Sequence, residues 1–130
     1  MGYSVRYYSR SGNTRAIAET IARAAGVKAV SVDEADASIK KNTDVLFIGG
    51  ALYAYGLDSH LKAYLNSIDG KLIKKAVVFS STWISKHSIN LIKNALKEKG
   101  VEVVDEAFYV REKPSAEQLK QAEGFAARYL

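Results

Sequence analysis

Six consecutive residues, Ser9-Arg10-Ser11-Gly12-Asn13-Thr14, stand between a segment that reads as a strand and one that reads as a helix. Their hydroxyls, amide and glycine surround the free backbone N–H groups of a helix N-terminus. Such a terminus carries positive partial charge and fixed donors, which suit a phosphate. Gly12 permits a tight turn and a close backbone approach that a side chain would block. A single Ser or Thr suffices to cap a helix, and this run exceeds that need. Neither a GxxxxGKS/T loop nor GxGxxG occurs, so nucleoside-triphosphatase and dinucleotide loops are excluded. The expected ligand group is a phosphate monoester held without lysine or magnesium.

A second loop, Gly50 to Leu57, sets Tyr53 and Tyr55 among Ala51, Leu52, Ala54 and Gly56 directly after an apolar run. Aromatic faces with small neighbours suit a planar ring system; the alternative is that the tyrosines cover the underlying helix. Tyr53, nearer the strand end, is the better stacking candidate. A third loop, Ser80 to His87, contains Ser81, Thr82 and the only tryptophan, Trp83. Trp83 is placed either to stack on such a ring or to pack beneath its own loop. Lys86 and His87 add positive charge at the rim.

The elements that must position these loops alternate regularly. Tyr3 to Tyr8 reads as a strand, and Ile17, Ala18, Ile21, Ala22 and Ala25 then fall at helical spacing until Gly26. Val27 to Val32 is a second strand, followed by a short helix over Glu34 to Lys40. Asp44 to Gly49 is a continuous apolar run, the mark of a strand buried on both faces. Asp58 caps a helix bearing Leu61, Tyr64, Leu65 and Ile68. Ala76 to Phe79 is another buried strand, and the helix carrying Ile89, Ile92, Ala95 and Leu96 ends at Gly100. Val101 to Val110 is the last strand, with Glu102, Asp105 and Glu106 suiting a sheet edge. Pro114 breaks the chain, and Ser115-Ala116-Glu117-Gln118 opens a final helix as a capping box.

Strands joined through helices run parallel, and right-handed crossovers cover both faces of the sheet. The expected fold is therefore α/β: a five-stranded parallel sheet of order 2-1-3-4-5, helices on both faces, in one domain over residues 1–130. Ligands then bind at the carboxyl ends of the strands, near the switch point between the first and third. That topology gathers the three loops.

At the first loop the sequence resembles the flavodoxin family. The pattern is Ser/Thr-x-Ser/Thr-Gly-x-Thr, read here as Ser9-x-Ser11-Gly12-x-Thr14 at the end of the first strand. The resemblance implies a flavodoxin-like three-layer sandwich whose Ser9–Thr14 loop wraps the 5′-phosphate of FMN. It also implies that Ala51, Leu52, Tyr53, Ala54, Tyr55 and Gly56 flank the isoalloxazine, with a peptide of that loop bonding flavin N5. Ser81, Thr82 and Trp83 complete the expected contacts. Flavodoxins often carry a glycine-rich turn and a stacked tyrosine in this third loop, where Thr82-Trp83 stands instead. Positive charge from Lys86 and His87 would favour anionic reduced flavin and raise its potential.

The resemblance implies a small electron carrier that takes electrons from a reductase and passes them to an acceptor protein. The alternatives are an FMN-dependent reductase or oxidase acting on a quinone-like or porphyrin-like substrate, and a non-redox module of the same fold. A receiver-type regulatory domain is excluded, because Ser9-Arg10-Ser11 and Gly49-Gly50 occupy the places of its acidic residues. No catalytic acid or base is assigned. His60 reads as a surface residue. Arg6, inside a central strand, is expected to reach the surface or to pair with a carboxylate.

Composition narrows the remaining classes. The chain of 130 residues is 48% hydrophobic and 25% charged, which excludes disordered and fibrous proteins. The absence of cysteine removes disulfides, thiolate metal sites and iron–sulfur clusters. His60 and His87 form no ligand pair, so no metal is expected. The net charge of +5 comes largely from lysines in helical segments, which read as solvated faces and not as a nucleic-acid surface. It is expected to steer the protein towards acidic redox partners. The run Val45 to Leu57 is too short to span a bilayer, and the N-terminus lacks a signal-peptide core. The expectation is a cytoplasmic monomer or weak dimer with no membrane association.

Overall fold

Alternation along the central strand sets the architecture. Val45 and Phe47 point to one face of the sheet and Leu46 and Ile48 to the other, and all four are buried. Only a sheet covered on both sides accommodates such a run. The computed structural model describes residues 2–53, 56–81 and 87–130.

The main sheet contains β1 (Tyr3–Tyr7), β2 (Ala29–Ser31), β3 (Thr43–Gly50), β6 (Ile73–Ser81) and β7 (Glu102–Val110), all paired in parallel. Their order is β2-β1-β3-β6-β7. Numbered within this sheet alone, that is the expected 2-1-3-4-5. A separate hairpin joins β4 (Leu52–Tyr53) to β5 (Gly56–Leu57). The helices are α1 (Asn13–Ala25), α2 (Ser59–Ser67), α3 (His87–Glu98) and α4 (Ala116–Ala127).

Ile17, Ala18 and Ile21 of α1 pack with Ala122, Phe125 and Ala126 of α4 against Val5, Phe47, Val77 and Phe79. Leu61 and Leu65 of α2 and Ile92 and Leu96 of α3 cover Leu46, Ile48, Ala76 and Val78 on the opposite face. The result is a three-layer sandwich. Gly26 ends α1 in the left-handed conformation, and Ser115 and Gln118 form the capping box of α4. Among the described residues no helix is long and apolar enough to cross a membrane.

The segment after β2 departs from expectation. The helix over Glu34 to Lys40 is a single 3-10 turn, Ala35–Ala37. Ala37 is its one buried residue, so the segment lacks the apolar stripe through which packing stabilises a short helix. Arg6 pairs with no carboxylate among the described residues and, as the other expected outcome had it, reaches the surface in part. It is half-buried, donating from Nε to the Ala37 carbonyl at 2.7 Å and from Nη1 to the Val5 carbonyl at 3.1 Å. The strand β6 also begins earlier than the apolar run suggests, because Lys74 and Lys75 belong to it.

Candidate functional site

Register brings the strand ends level. Tyr7 pairs with Gly49 and Gly49 with Phe79, so the segments after β1, β3 and β6 leave one end of the sheet side by side. The switch point lies there, between β1 and β3.

After β1 the chain turns through Ser9 to Gly12 and enters α1. Gly12 is the N-cap residue, with φ 91°, and no side chain caps the helix. The hydroxyls instead hold the loop itself: Gly12 N–H donates to Ser9 Oγ at 3.0 Å and Asn13 N–H to Ser11 Oγ at 3.3 Å. Arg10, Ser11 and Gly12 are exposed. A Cβ on Gly12 would meet nothing within 4 Å, so the space before the helix is open. The Ser9 and Ser11 hydroxyls accept these bonds and keep their own protons to donate, and Gly12 brings no side-chain cap of its own, a form suited to an oxyanion.

Thr14 lies beneath this loop and not on its rim. Its hydroxyl is 2.8 Å from Ser81 Oγ, and both residues are buried. The contact fastens the start of α1 to the end of β6. A hydroxyl can donate once and accept twice, so one such bond leaves capacity for another partner.

Arg10 turns to Asp58, with Nη2 at 2.6 Å from Oδ2. Asp58 is only 3% exposed and also caps α2, accepting from His60 N–H at 2.7 Å. The His60 ring adds a contact through Nδ1 at 2.9 Å and stacks on Tyr8, with centroids 4.9 Å apart. Burial alone would push the Asp58 carboxyl up, but the His60 backbone and ring and the Arg10 guanidinium together hold it below its ordinary value. The sequence identifies Asp58 as a cap; its tie to Arg10 depends on a fold that joins positions 48 apart.

The second segment is more ordered in backbone than an open turn. Leu52 pairs with Leu57 and Tyr53 with Gly56, antiparallel. Ala51 is half-buried, and Gly56 has φ 108°. Ala54 and Tyr55 lie outside the described residues, as do Thr82, Trp83 and Lys86. His87 is exposed at the start of α3. Behind the hairpin, a Cβ on Gly49 would fall 2.3 Å from the Phe79 ring, and one on Gly50 would fall 2.4 Å from Leu61. Ser80 Oγ donates to the Gly50 carbonyl at 2.6 Å and lies 2.7 Å from Ser88 Oγ. These bonds tie together the ends of β3 and β6 and the first turn of α3.

A family model described as a flavodoxin domain matches residues 4–121. The chain belongs to the flavodoxin family. No curated protein matches its sequence. Among solved structures, this flavodoxin-family chain is similar to a flavodoxin from the domain Archaea, with a TM-score of 0.85 and 21% identity over 99% of this chain and 96% of that one. Flavodoxin 1 from Bacillus cereus gives 0.83 and 24% identity, covering 99% and 97% of the two chains. The rubredoxin oxygen:oxidoreductase of Desulfovibrio gigas gives 0.84 and 16%, covering 98% of this chain but 35% of that one. At such identities the likeness is one of fold.

Proposed function

We propose that this flavodoxin-family protein binds FMN and carries electrons between a reductase and an acceptor protein. The observation that carries the reading is the exposed, glycine-capped start of α1, with serine hydroxyls folded into its own loop. In this reading Ser9 to Thr14 receive the 5′-phosphate, and Thr14 anchors that loop to Ser81. Bound FMN supplies the one- and two-electron chemistry, and the chain supplies binding, orientation and electrostatics.

In this reading residues Ala51 to Gly56 would flank the ring system, with Tyr53 and Tyr55 as its aromatic contacts, and Ser81, Thr82 and Trp83 would complete the contacts. The net charge of +5 supports acidic partner surfaces.

The test is to load the purified protein with FMN and supply a nicotinamide donor, with and without a flavodoxin reductase. A carrier is reduced only when the reductase is present and passes electrons to an added haem protein. Quinone turnover with the donor alone would establish the reductase reading instead. Failure to take up FMN would leave the non-redox module.

A further inference from the structure

Arg6 is a half-buried guanidinium in β1, an interior strand flanked by β2 and β3. Two backbone carbonyls fix it, those of Ala37 and Val5, and the Ala37 carbonyl also accepts the Tyr64 hydroxyl at 2.6 Å. Among the described residues no carboxylate lies within ion-pair distance of Arg6, Lys40 or Lys41. Withdrawing a guanidinium from water without a counter-charge is costly, and the two carbonyls offset only part of that cost.

These three cations share a cavity of about 240 Å³ with the hydroxyl-bearing residues Ser4, Ser38 and Thr43. No acidic residue lines it. Asp44, next along β3, is engaged by the Gly2 N–H at 3.0 Å. The cavity is therefore cationic, rich in hydroxyls and open to solvent through two exposed lysines.

We propose that this cavity binds a phosphate-bearing anion at a site separate from the Ser9–Thr14 loop. Its volume is below that of typical cofactor pockets, which run from about 300 Å³ upward, and fits a phosphate with a small substituent. Thr43 Oγ1 is engaged, donating to the Lys41 carbonyl at 3.2 Å, but three positive charges with the Ser4 and Ser38 hydroxyls match the charge and the several acceptor oxygens of phosphate better than a single carboxylate. Arg6 is the fixed donor and the lysines close over the anion. The separation from the first loop follows from the strand. Ser4 stands near the start of β1 and Ser9 beyond its end, a distance of roughly 16 Å at about 3.3 Å per residue. The site does not depend on whether the protein binds FMN.

The test is an NMR titration of the full chain with inorganic phosphate at low ionic strength, following backbone amides and the Arg6 Nε–H. Saturable shifts at Ser38 to Lys41 and at Arg6 are expected. A Lys40→Gln, Lys41→Gln double variant should weaken them roughly tenfold, equivalent to about 1.4 kcal/mol. The Thr14→Ala variant should leave their midpoint unchanged. Replacing the exposed lysines spares the Arg6 contacts to the Ala37 and Val5 carbonyls. A glycerol phosphate titration separates the two sources: tighter binding than inorganic phosphate identifies a monoester, and equal or weaker binding identifies the free ion. Unmoved or non-saturating signals at these positions overturn the proposal, as does an unchanged midpoint in the lysine variant. Shifts confined to residues 9–14 would overturn it too, while leaving the FMN reading intact.

Discussion

The Arg10 guanidinium and the Asp58 carboxylate meet at 2.6 Å, joining the loop after β1 to the N-terminus of α2. An arginine in a phosphate loop invites assignment to the phosphate. Here its charge is balanced by a nearly buried carboxylate that also caps a helix. On the proposed reading, donors from the backbone and hydroxyls then contribute most of the loop's attraction for an anion, and the ion pair holds the loop in place.

Replacing Asp58 separates these roles. Asp58→Asn keeps a capping oxygen but loses the ion pair, and it should cost about 1 kcal/mol, given that Arg10 is half-solvated. Asp58→Ala removes the cap as well, for a total of about 2 kcal/mol. Urea denaturation of the three proteins checks the order. Equal stability of all three would show that the contact does not support the fold.

The same carboxylate predicts an acid-dependent loss of stability. Asp58 has a lowered folded-state pKa, so the unfolded chain binds its proton more readily. Its contribution is complete above the ordinary value of 3.8 and is lost as pH falls through the lower folded-state value. Urea midpoints from about pH 5 to about pH 2.5 should show the advantage over Asp58→Asn shrinking at the acid end. A constant gap would mean that Asp58 titrates alike in both states.

Thr14 and Ser81 make a second link, between the first loop and β6. Thr14→Val keeps the shape but leaves the buried Ser81 hydroxyl without its partner, at a cost of about 1–3 kcal/mol. Thr14→Ser keeps the bond and should stay within about 1 kcal/mol of the parent. FMN affinity, measured by flavin fluorescence, should fall in Thr14→Val and be largely retained in Thr14→Ser.

Gly12, on the first loop, and Gly49, near the end of β3, fail for different reasons. Gly12→Val puts a β-branched residue at φ 91°, which costs about 1–2 kcal/mol or shifts the loop. Gly49→Ala drives a methyl into the Phe79 ring and should cost about 1–3 kcal/mol through overpacking. Thermal unfolding measures both effects. FMN binding should suffer more from Gly12→Val, since Gly12 borders open space and Gly49 lies against the core.

The sheet was legible because its centre is written in unbroken apolar runs: Asp44 to Gly49 and Ala76 to Phe79 announce strands covered on both faces. The turn at Ala35–Ala37 was not, since polar residues at helical spacing look alike whether or not a helix has a face to bury. Ser9 to Thr14 stood out through residue types at fixed spacing. The Arg10–Asp58 pair and the Thr14–Ser81 bond did not, because each joins residues distant in sequence that only the parallel topology brings together. Arg6 hides its contacts for a related reason. Its carbonyl acceptors belong to the backbone, and backbone acceptors leave no mark in a sequence.

The most direct test of the central claim is a parallel titration of the purified protein with FMN and with riboflavin, followed by flavin fluorescence. Stoichiometric quenching by FMN is expected, with riboflavin bound at least roughly tenfold more weakly, a difference of about 1.4 kcal/mol, and with that preference reduced in Gly12→Val. Equal affinity for the two flavins would contradict the role of the Ser9–Thr14 loop, and no binding of either would contradict the assignment of a flavin.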